Sequence, residues 1–95
     1  MPTYLMLSTI GPEGAATLRD HPRRIKEVND EVASMGVKVI AQYALLGEWD
    51  FLNILEAPDN ETVARMSIEL SSRGTVKTQT IPAVPIDDFI ARLEA

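Results

Sequence analysis

Residues 37–57 read VKVIAQYALLGEWDFLNILEA, and this stretch decides the fold. Its first half, 37–46, alternates at the period of a strand. Val37, Val39, Ala41, Tyr43 and Leu45 share one face, and Lys38, Ile40, Gln42 and Ala44 the other. Gly47-Glu48 reads as a tight connection, with Gly47 supplying a positive φ, and Trp49 through Ala57 returns as a second strand. A link this short joins antiparallel neighbours.

Working outward, Ile25, Val28, Val32 and Met35 recur at spacings of 3, 4 and 3, which predicts an amphipathic helix ending at Gly36. Asp20 before His21-Pro22 reads as its N-cap, with a short helical piece before it at 12–19. Residues 3–10 form an opening strand stopped by Gly11-Pro12. Beyond the hairpin, Asp59 caps a helix over 60–73 in which Val63, Met66, Ser67 and Leu70 make a stripe, widened by Ala64 and Ile68. Glu61, Arg65, Glu69 and Arg73 give that helix an alternating solvent ladder. Residues 75–81 make a last strand with Val76, Thr78 and Thr80 on one side. After Pro82 and Pro85, a helix at about 87–94, capped by Asp87, turns Phe89, Ile90 and Leu93 inward.

The order β-α-β-β-α-β plus a terminal helix is the ferredoxin-like arrangement: an α+β fold with two helices on one face of a four-stranded antiparallel sheet. The expected organisation is one domain over 1–95, with a core at 1–84 and a helical extension at 85–95. The other sheet face is left bare. The first strand is apolar on both sides (Leu5 and Leu7 against Tyr4 and Met6), so the bare face calls for cover, most simply a second copy of the chain.

Composition narrows the function. At 95 residues and 45% apolar content the chain fills one small core. No Cys and a single His leave no thiol chemistry and no multi-histidine metal site within one chain, so neither metal nor cofactor is expected. A net charge of −5 is the wrong sign for a nucleic-acid binder. No apolar run approaches the ~20 residues that span a bilayer, and no targeting signal opens the chain. A cytoplasmic protein with no membrane or nucleic-acid partner is expected.

At Gly47-Glu48-Trp49-Asp50 the chain resembles the GYD domain family, whose motif places Gly, an aromatic residue and Asp at this hairpin. Pro2-Thr3-Tyr4, Asp20-x-Pro22-x-Arg24, Tyr43-x-Leu45-Leu46-Gly47, Glu56-Ala57-Pro58-Asp59 and Gly74-x-Val76-Lys77-Thr78-x-Thr80 carry the same likeness, which covers all but the last ten or so residues. Trp49 stands where the family usually has Tyr. The resemblance implies a ferredoxin-like fold of the dimeric α/β-barrel kind and implies no reaction. The hairpin also looks like that of Lrp/AsnC-type effector-binding domains, which bind small effectors at subunit interfaces.

Two groups of candidate site residues follow. Tyr43, Gly47, Trp49, Asp50 and Asn53 are candidate ligand contacts at a subunit junction, with Gly47 and Asp50 equally readable as turn-forming residues. Arg19, His21, Arg23 and Arg24, with Lys26, cluster at a helix start and form a candidate anion site, against ordinary i,i+4 pairing such as Arg23 with Glu27. Tyr4, Gln42 and Gln79 join the residues that would line a cavity in a barrel-type dimer. Three functions remain open: an oligomeric small-molecule-binding module, a cofactor-independent enzyme of the dimeric-barrel type, and a structural or adaptor oligomer.

Overall fold

A computed structural model describes residues 1–74 and 76–95. The elements are β1 (Thr3–Ile10), α1 (Pro12–Asp20), α2 (Arg24–Ser34), β2 (Lys38–Ala44), β3 (Phe51–Glu56), α3 (Asn60–Ser71), β4 (Val76–Ala83) and α4 (Ile86–Glu94). The sheet order is β2-β3-β1-β4 with every pair antiparallel, the expected ferredoxin-like topology. The expected first residue of the last strand, Thr75, lies outside the described residues. That strand runs on through Pro82 to Ala83, which an edge position tolerates because no further strand needs the missing N–H.

Tyr4 and Met6 on β1 and Leu55 on β3 meet Val32 of α2 and Val63, Met66 and Leu70 of α3 in the core. The helices therefore cover the even-numbered side of β1, and the Tyr4 hydroxyl donates to Asn60 Oδ1 at 2.6 Å at the start of α3. Asp59 caps α3 as expected: the Thr62 backbone N–H and hydroxyl both donate to its Oδ1, at 2.8 and 2.7 Å. Those two bonds hold the Asp59 carboxyl below its ordinary pKa, the side-chain bond contributing most.

Several local expectations are corrected. The hairpin link is six residues long, from Leu45 to Asp50, not a two-residue turn. Gly47 does hold a positive φ of 118°. The strand before it does not keep one face, because the pairing shifts register between Val39 and Ala41. A bulged residue reverses the alternation beyond it. Val39 packs on the core, whereas Ala41 and Tyr43 align with Ile54 and Leu52 on the opposite side. Asp20 pairs with Arg19 instead of capping α2, whose N-cap is Arg23 with no side-chain bond. On α3, Ala64 and Ile68 are exposed rather than core-facing, and Arg73 leaves the ladder for Glu31 on α2.

The largest correction concerns α4. It starts at Ile86 with Pro85 as N-cap, without Asp87 capping, and none of its residues is buried. The chain extends 51 × 28 × 19 Å with a radius of gyration of 14.5 Å. A compact chain of this length would have ~12 Å, so the excess fits a helix that stands off the body.

Candidate functional site

Gly47, Trp49 and Asp50 lie in the link between β2 and β3 rather than in the returning strand expected to start at Trp49, and Asp50 makes its bonds within its own chain. Asp50 Oδ2 accepts the Ile10 N–H at 2.9 Å, the Asp50 N–H donates to Ser8 O, and Asp50 O accepts the Leu45 N–H, both at 2.8 Å. One residue thus ties the link to the end of β1. Trp49 is half-buried beside it, and nothing lies within 4 Å of where a Cβ on Gly47 would stand.

The five ligand candidates do not converge. Asn53 and Gln42 line an open cavity between α1, α2 and the helix-covered side of the sheet. Tyr43 borders it on β2, although its pairing with Leu52 sets its side chain on the other face, and Gly47, Trp49 and Asp50 are absent from the lining. Tyr4 is sealed in the core and Gln79 faces away from the helices. Of the cationic cluster, Arg19 pairs with Asp20 at 3.1 Å and Arg24 with Glu27 at 3.4 Å, so the Arg24 pairing replaces the expected Arg23–Glu27 pair. His21, Arg23 and Arg24 share a shallow surface depression with Asp20 and Glu27, whose carboxylates offset its positive charge. Among the described residues no three His, Asp or Glu side chains come together as a metal site.

Two apolar surfaces escaped the sequence reading in their geometry. On α4, Ile86, Phe89, Ile90 and Leu93 recur at i, i+3, i+4 and i+7 and so form one stripe. They are 45–69% exposed. On the sheet face away from the helices, the registers assemble two rows across all four strands. One runs Ala41, Ile54, Leu5, Ile81, and the other Tyr43, Leu52, Leu7, Gln79. Seven of those eight positions are apolar, and Lys38, Glu56 and Lys77 stand at the margins.

The GYD domain family profile matches residues 4–93. The chain belongs to the GYD domain family. The match includes almost all of α4, further than the motif likeness reached. This GYD domain chain is also 55% identical over 95 residues to the "Glutamine synthetase and cystathionine beta-lyase binding protein" of Thermus thermophilus. That alignment spans 99% of this chain and 100% of the relative. No helix among the described residues of the GYD domain chain is long and apolar enough to cross a membrane.

Proposed function

We propose that the chain is a non-catalytic protein-binding module whose partners are enzymes of amino-acid metabolism of the kind its relative is named for, glutamine synthetase and cystathionine beta-lyase. The observation that carries this reading is α4. An isolated helix shorter than ~12–15 residues is marginal in water, and α4 has nine residues with no residue buried against its own chain. Its stripe is thus a helix face suited to a groove on a partner, the recognition mode of amphipathic helices generally. The 55% identity over the full length of the named binding protein supports protein partners over a reaction.

In the same reading, the open sheet face pairs two copies. Its two apolar rows within a charged margin have the layout of an interface core and rim, and pairing would place two α4 helices on one particle. The test is co-elution of the full chain with purified glutamine synthetase and with purified cystathionine beta-lyase from the same organism. A complex is expected with at least one enzyme, and the Phe89→Asp/Leu93→Asp variant should lose it while keeping its circular dichroism. Separate elution of the unaltered chain from both enzymes at tens of micromolar contradicts the reading.

A further inference from the structure

The cavity between α1, α2 and the sheet measures about 470 Å³, within the ~300–1,000 Å³ range of small-ligand sites. Its floor is built from Met6, Ser8 and Asn53, its walls include Leu18, Ile25 and Phe51, and its exposed rim carries Arg24, Lys26 and Arg73. Three features of this lining point to one ligand chemistry.

The first is charge. The chain has 14 acidic and 9 basic residues, yet the lining holds three cations and no Asp or Glu. Arg24 already meets Glu27 and Arg73 meets Glu31, whereas Lys26 has no ion pair among the described residues. The second is the floor. Ser8 and Asn53 are only 6% and 8% exposed, and neither side chain has a hydrogen-bond partner among the described residues. The buried side-chain polar atom left without a partner among the described residues is Asn29 Oδ1, not an atom of Ser8 or Asn53. The unpaired polar atoms of Ser8 and Asn53 thus keep access to solvent, and both residues line the cavity, which makes them polar groups offered to it. By the register they are diagonal neighbours, Ser8 opposite Phe51 and Asn53 opposite Met6, which sets them ~7–8 Å apart. The third is polarity of the donors. Gln42 Oε1 accepts the Asn29 amide at 2.9 Å, which leaves the Gln42 amide hydrogens without a partner among the described residues. Amide, hydroxyl and ammonium donors around an apolar wall suit a ligand rich in acceptors.

We propose that this cavity binds a small carboxylate with an apolar body and a neutral oxygen at its far end. The carboxylate sits at the solvent-exposed rim against Lys26, where ionisation needs no deep desolvation. The apolar body lies along Leu18, Ile25 and Phe51, and the neutral oxygen reaches Ser8 and Asn53. This site is separate from α4 and stands whether or not the enzyme-binding reading does.

The probe is 3-(4-hydroxyphenyl)propanoate, compared with its carboxamide, which lacks the charge, and with 3-phenylpropanoate, which lacks the far oxygen. On titration into the full chain, the nitrogen-15 NMR signals of the Asn53 and Gln42 side-chain amides should move. Both comparators should bind more weakly, the carboxamide by about fivefold, the reach of one partly exposed ion pair. Lys26→Glu, on the exposed rim and safe for folding, should remove the preference for carboxylate over carboxamide. Asn53→Leu should remove the preference for the hydroxyl. If Asn53→Leu does not fold, the Lys26→Glu result and the amide shifts decide alone. Equal binding of all three compounds, shifts confined to α4, or no shift at millimolar probe would overturn the proposal.

Discussion

Asp50 shows how a motif residue is committed to holding the chain together. Its carboxylate takes the Ile10 N–H while its own backbone bonds to Ser8 and Leu45, so the end of β1 and the start of the link meet on one residue. Replacing Asp50 with Ala leaves a part-buried N–H unanswered and should cost about 1–3 kcal/mol in urea unfolding, with Asp50→Asn recovering most of it. An unchanged midpoint for Asp50→Ala would show that the bond carries no stability. Asp59 makes a pH-dependent contribution. Its folded pKa lies below the unfolded value, so the cap stabilises the fold at pH above the unfolded pKa and is lost as pH falls through the folded one. The gap in thermal midpoint between the unaltered chain and Asp59→Ala should be full above about pH 5 and should shrink in acid. A gap that grows in acid would reverse the sign.

At the scale of elements, the strands and helices were legible because their periods are clean: Val28, Val32 and Met35 at helical spacing, Tyr4 and Met6 at strand spacing, Asp59 before an apolar helix. What was not legible has physical causes. The register shift between Val39 and Ala41 leaves no mark in residue type, yet it moves Tyr43 from the core side to the open side and Gln42 toward the cavity. Gln42 and Asn53 could be singled out as polar residues on strands; Ser8 shares the face of Tyr4 and Met6 by strand period, but nothing in the residue type marks it as a cavity floor. The stripe of α4 was visible as amphipathicity, and its direction was not, since a 3.6-residue period says that a face is covered without saying by what. Because no residue of α4 is buried, Phe89→Asp/Leu93→Asp should leave the urea midpoint within about 0.5 kcal/mol of the unaltered chain, as surface changes generally do. Truncating Leu55 or Met66, fully buried, to Ala should cost about 2–5 kcal/mol. Similar losses from both sets would place α4 in the core after all.

For the whole molecule, small size matters more than composition first suggested. One copy buries Tyr4, Met6, Leu55 and Met66 under its helices and still leaves two apolar rows and a helix stripe uncovered. The sheet-to-sheet pairing predicts twice the chain mass by light scattering at low micromolar concentration, and Leu5→Lys/Leu52→Lys should return it to a single chain. A monomer at that concentration would leave the rows without their partner. The enzyme-binding reading is tested most directly by hydrogen exchange of the full chain, with and without glutamine synthetase or cystathionine beta-lyase. The amides of Asp88 to Leu93 should exchange at nearly the unprotected rate in the free protein and become protected when one of the enzymes is added. Strong protection of α4 in the free protein, or no change on adding either enzyme, would contradict the claim that this helix is the docking element.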